Sequence, residues 1–152
     1  MRRAEKELTD PAALADVLER GRVLHLGMSD GGEPYVVPVD YGFAEGAVFV
    51  HSALQGHKLD VISRNPRVCF EVTVDAEVER STSVCDWTSR FASVIGFGTA
   101  RLLHDADEKA AALTHIVRHY GELDERVTAR RTAGVAVLRI DIERMTGKAS
   151  EG

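Results

Sequence analysis

Two periods alternate along this chain. Leu14, Val17 and Leu18 share one face of a helix that Asp10 can cap and Pro11 can open, with Gly21 as its stop. From Arg22 the period shortens. Val23, Leu24, Leu26 and Met28 form an apolar strand that runs into the turn Ser29-Asp30-Gly31-Gly32. Tyr35–Phe43 reads as a second strand; Pro34 just before it and Pro38 within it each remove a ladder donor and so require an unpaired side or a bulge. Ala44-Glu45-Gly46 turns into a third strand, Ala47–His51, and the three together predict an antiparallel meander.

After Ser52–Gly56 the run Lys58–Arg64 predicts two helical turns, ended by Asn65-Pro66 because a residue before proline avoids helical torsions. Arg67–Asp75 is a fourth strand, and Phe91–Leu103 a fifth with Gly96 and Gly98 as bend or bulge points. The polar stretch 76–90 has no clear period. Asp105 or Asp107 opens the longest helix, to about Tyr120, with Ala110, Leu113, Val117 and Tyr120 as its expected buried face. The charged stretch 122–133 predicts a loop with one short helix, and Val135–Ile142 closes the sheet as a sixth strand. Six strands with short connections imply a mainly β fold, a small barrel with helices outside it, in one domain over 1–152.

Composition narrows the function. The chain has 152 residues, 44% hydrophobic and 28% charged, which suits a packed core and excludes overall disorder. Its apolar runs, such as Val135–Leu138, fall far short of the ~20 residues of a membrane span. The charged N-terminus lacks the core of a signal peptide, and two cysteines do not staple a secreted fold, so a cytoplasmic location is expected. A net charge of −5 argues against nucleic-acid binding. Six histidines are present but no metal-ligand cluster has the right spacing, so no metal site is expected. His115 and His119 stand four apart, opposite the expected apolar face, and read as solvated helix surface. Cys69 reads as an inert core thiol and Cys85 has no evident base partner.

The stretch His51–Asp60 carries the candidate chemistry. A strand end feeds a helix start bearing a hydroxyl, a glycine and a lysine, a combination that suits a phosphate; a plain strand–turn–helix with a solvated lysine has the same pattern. Gly32–Val39, Val48–Ala53 with Gly56-His57-Lys58, Asn65–Val72, Ser93–Arg101 and Met145–Lys148 together resemble the pyridoxamine 5'-phosphate oxidase-like split-barrel flavoproteins. Within them the chain is most similar to the nitroimidazole-resistance branch, and the resemblance covers nearly its whole length in order.

That resemblance implies a six-stranded antiparallel split barrel forming a homodimer, with FMN in two interface clefts. It implies that Val37, Pro38 and Val39 run beside the isoalloxazine ring, and that Ser52, His57 and Lys58 hold the phosphate. Phe91 and Ser93 would reach in from the partner subunit. An apolar slot with a few backbone donors fits a flat ring edged with polar atoms, and nearby positive groups favour the reduced, anionic flavin. His51 would face the cleft as a catalytic residue, by donating a proton or by ligating haem iron; a strand-end histidine bonded to backbone is the alternative. Trp87 either covers a flavin edge or packs. The ending Ile142–Gly152 lacks the basic substrate motif of the vitamin B6 oxidases, and His57 stands where those enzymes tend to have arginine, which implies a lean phosphate site. The expected activity is FMN-dependent reduction of small aromatic or nitro compounds. The alternatives are a reductase using the deazaflavin coenzyme F420 and a non-enzymatic flavin- or haem-binding module.

Overall fold

The computed structural model describes residues 4–122 and 127–151. Its elements in chain order are β1 (Glu7–Leu8), α1 (Pro11–Arg20), β2 (Leu24–Asp30), β3 (Glu33–Val39), β4 (Tyr41–Ala44), β5 (Ala47–Ser52), α2 (His57–Arg64), β6 (Arg67–Glu79), β7 (Thr88–Leu102), α3 (Ala106–Tyr120) and β8 (Ala136–Glu151). The strands form one antiparallel sheet in the order β3-β2-β6-β7-β8-β5-β4, with β1 added on β8. The fold is the expected split barrel, with eight described strands where six were counted.

Two strands account for the difference. Glu7–Leu8 pairs with Lys148 and Gly147. The apolar run 35–43 is not one strand, because Asp40 divides it: β3 pairs with β2, β4 pairs with β5, and the two halves lie at opposite ends of the sheet. The expected meander is therefore two hairpins separated by a seam. The two prolines have the unpaired side they require: β3 carries Pro34 and Pro38 and is the terminal strand, paired on one side only.

The core is lined by alternate residues of the central strands, including Leu24, Leu26, Phe70, Val72, Leu138 and Ile140, and is closed at one end by Leu14, Val17 and Leu18 of α1. Asp10 caps α1 by accepting the Ala12 amide at 3.1 Å. A smaller cluster of Phe49, Leu103, Ala112, Ile116 and Val137 joins α3 to the sheet. Here the buried face differs from the expected one: Ala110, Ala112 and Ile116 face inward, while Val117 and Tyr120 are about 40% and 37% exposed. The reason is close approach. A Cβ at Gly42 would meet the backbone of His115 and Ile116 at 2.6 Å, so α3 lies almost on β4 and only small residues fit between them. His115 and His119 are accordingly half-buried against the protein, not solvated. The His115 ring stacks on Phe49 at 5.3 Å, and His119 Nε2 donates to the Gly21 carbonyl at 2.6 Å.

The long strands outrun their apolar signal. β8 extends to Glu151, β6 to Glu79 and β7 back to Thr88, where polar residues alternate on an exposed sheet. The β7–β8 ladder shifts register between Phe97 and Gly98, making Glu143 the extra residue of a bulge. Glu143 accepts from Arg67 at 2.7 Å and from Thr99 Oγ1 at 2.8 Å, and these bonds hold its carboxyl below the usual range. Cys69 is not a core thiol: Val68 and Phe70 face inward, and Cys69 is half-buried on the opposite side of β6, against Gly27. Of the charged stretch 122–133, residues 129–132 form a 3₁₀ turn, and 123–126 lie outside the described residues.

Candidate functional site

β5 ends at His51 and Ser52, which pair with Val137 and Ala136. His51 is exposed and Ser52 half-buried. The chain then turns through Gly56, whose φ of 148° favours glycine, and enters α2. The Gly56 carbonyl accepts from Leu59 and Asp60 at 2.9 and 3.2 Å, while no side chain caps the helix. The leading amides of His57 and Lys58 are thus orphan donors at the positive end of the helix dipole.

Lys58 adds a charge at that point. It is half-buried, and burial alone pushes its amine below the ordinary lysine range. Among the described residues no carboxylate pairs with it. A desolvated ammonium beside uncapped amides is a donor set suited to an anion.

Side-chain contacts fix α2 to the β2–β3 hairpin. The His57 ring meets Tyr35 of β3 edge-on at 4.7 Å. At the other end, Arg64 donates to both carboxylate oxygens of Asp30, at 3.1 and 2.6 Å, and Asn65 donates to the Ser29 carbonyl at 3.1 Å. The Arg64 guanidinium holds the Asp30 carboxyl below its usual value. The helix start and β3 are therefore one unit. On β3, Val37 and Val39 are half-buried toward the core, while Val36 and Pro38 are exposed.

Phe91 and Ser93 form a separate patch on β7. Lys148 Nζ lies 5.4 Å from the Phe91 ring centroid, and Ser93 Oγ donates to the Lys148 carbonyl at 3.5 Å. Both residues line a shallow cavity of about 290 Å³ with Thr73, Glu77 and Arg90. Trp87 donates its indole N–H to the Ser81 carbonyl at 2.9 Å, and Arg80 stacks over its ring. Among the described residues no group of three His, Cys, Asp or Glu side chains is placed to hold a metal, and no helix is long and apolar enough to cross a membrane.

One pair was missed at the sequence level. His25 Nδ1 donates to Glu71 Oε2 at 3.1 Å, and the second Glu71 oxygen accepts from Thr73 Oγ1. The signal was alternation: Leu24, Leu26 and Met28 point inward, which turns His25 outward. Its partner lies 46 residues away and is set only by sheet register.

An open antiparallel barrel with an anion-suited helix start beside its terminal strand defines the class: a split-barrel protein. The family model for pyridoxamine 5'-phosphate oxidase matches residues 10–149, and the chain belongs to that family. Among solved structures, it is similar to a candidate 5-nitroimidazole antibiotic resistance protein from Bacteroides thetaiotaomicron, at 26% identity over 93% of this chain and 85% of that one, with a TM-score of 0.83. It shares the fold of the flavocytochrome Anf3 from Azotobacter vinelandii, at 22% identity over 100% and 72% of the two chains and a TM-score of 0.85. It also shares that of an FAD- and haem-binding protein from Mycobacterium smegmatis, at 20% identity over 97% and 74% and a TM-score of 0.81. No curated protein matches the sequence.

Proposed function

We propose that this chain is an FMN-dependent oxidoreductase that works in the cytoplasm as a homodimer, with FMN in clefts between the subunits, and reduces small aromatic or nitro compounds. The observation that carries this reading is the start of α2, where uncapped amides and the half-buried Lys58, without a carboxylate partner among the described residues, suit an anionic group. Ser52, His57 and Lys58 would hold the phosphate, and the terminal strand β3 would lay Val37, Pro38 and Val39 along the ring. Phe91 and Ser93 would come from the partner subunit. FMN, when bound, supplies a two-electron carrier. The chain's own task is to orient the ring, shield it from water and deliver protons, the last assigned to His51 at the end of β5.

Lys58→Ala removes one charge-assisted contact worth ~1.5–3 kcal/mol, so FMN should bind about ten- to a hundredfold more weakly in a flavin-fluorescence titration. Unchanged affinity would remove the phosphate assignment. A second reading, a haem-binding module, rests on the exposed imidazole of His51 and on two structural neighbours that bind haem or are flavocytochromes. The absorption spectrum of the freshly purified protein separates the two, since flavin, deazaflavin and haem bands are distinct.

A further inference from the structure

A histidine tied to a carboxylate stands in the same cross-strand row as Pro38. The register of β3, β2, β6, β7 and β8 aligns Pro38, His25, Glu71, Ile95 and Thr146 directly opposite one another. Side chains directly opposite across antiparallel strands emerge on one face of the sheet. Pro38, His25, Ile95 and Thr146 are indeed exposed, and Glu71 is half-buried among them. His25 thus shares the outer face with the strand on which the proposed function places the ring. His25 also lines a cavity of about 370 Å³ with Arg20, Arg22, Val23, Thr73, Val74 and Asp75.

The local chemistry gives the histidine a defined role. Glu71 can only accept, so His25 Nδ1 carries the hydrogen between them, and the neutral ring presents the lone pair of Nε2 away from Glu71. Glu71 is itself fixed by Thr73. When Nε2 takes up a proton, the adjacent carboxylate offsets the new charge, the arrangement of an oriented acid–base pair. Arg20 does not compete for Glu71, because Asp16 and Asp75 engage it at 2.8 and 2.6 Å.

We infer that His25 is a second proton donor of this site, with Glu71 as its positioning residue. The inference rests on the reading above. Reduction of a nitro group to a nitroso group takes up two electrons and two protons and releases one water. The two electrons would come from the reduced, anionic flavin, whose own N–H proton leaves to solvent as it is oxidised, and His51 is assigned one of the two protons that the substrate takes up. For the other, the Nε2–H bond of protonated His25 breaks and an O–H bond forms on the substrate oxygen. His25 returns to the neutral ring with Nδ1–H still held by Glu71.

The test uses the FMN-loaded protein. Addition of FMN should move the His25 ring signals in the proton NMR spectrum. In anaerobic stopped-flow, protein reduced with dithionite and mixed with 2-methyl-5-nitroimidazole should reoxidise about a hundredfold more slowly in His25→Gln, with FMN affinity kept within about twofold. Glu71→Gln should slow the saturating rate about tenfold while leaving the half-saturating concentration of the nitro compound unchanged. An unmoved His25 signal, an unchanged His25→Gln rate, or a tenfold loss of FMN affinity in that variant would each overturn the proton role while leaving the flavin reading in place. Failure of the wild-type protein to bind FMN would overturn that reading, and this inference with it.

Discussion

Gly96 stands directly opposite Phe70 across the β6–β7 ladder, and the Phe70 ring fills the space that a side chain at 96 would need. Phe70 is about 1% exposed, so the ring has nowhere to retreat. Gly96→Ala should therefore overpack the barrel and destabilise it by ~1–3 kcal/mol. Urea denaturation should show a lower midpoint with an unchanged slope. A midpoint equal to that of the wild type would mean that the ring finds another rotamer.

Tyr41 closes the end of α1. Its buried hydroxyl donates to the Leu18 carbonyl at 2.5 Å, one of the last-turn acceptors that helices leave without a partner. Tyr41→Phe strands that carbonyl and should cost ~1–3 kcal/mol in urea denaturation. Burial also pushes the Tyr41 phenol well above its ordinary value. The unfolded chain ionises first, at about pH 10, so this contribution is complete below that pH and is lost as pH rises toward the folded value. The wild type should lose stability above about pH 10, and Tyr41→Phe should lose less over the same interval.

His51→Ala should leave FMN binding within about twofold while lowering nitro-compound turnover by about a hundredfold, if the imidazole delivers a proton and holds no phosphate. Fluorescence titration and steady-state rates on the same sample check both halves. A variant that loses binding and turnover together would move His51 into the phosphate set.

The outer sheet face should carry the dimer contact. Val36 and Ile95 are 61% and 45% exposed there, and Arg144 covers the neighbouring Phe97 ring at 3.7 Å. Light scattering should give twice the 16.6 kDa chain mass for the wild type. Ile95→Asp, which places an unpaired charge in that contact, should give the monomer mass with far-UV circular dichroism intact. A wild-type monomer at micromolar concentration would refute the homodimer.

Local signals were legible wherever one residue decides the outcome alone. Asp10-Pro11 starts α1, Asn65-Pro66 ends α2, and the two prolines mark the terminal strand. The Asp40 break was invisible because the apolar pattern continues on both sides of it. The inward face of α3 was misjudged because size, not hydropathy, governs a helix lying on a glycine backbone. Of the candidate site, the α2 start could be read from neighbouring residues. His25 and Glu71 meet only through a register that a linear pattern does not contain.

The seam between β3 and β4 has a mechanical consequence. Its two lips are consecutive pieces of chain joined through Asp40 alone, so at that end they can separate by no more than the reach of a residue or two, roughly 3.5 Å each. Away from Asp40 each lip belongs to its own hairpin: β3 is paired along its whole length with β2, and β4 with β5. Asp40 is thus the one covalent link that carries the chain from one end of the sheet to the other. The Tyr35 contact to His57 lies on the β3 side of that link, so the α2 start travels with the β2–β3 hairpin and not with β4.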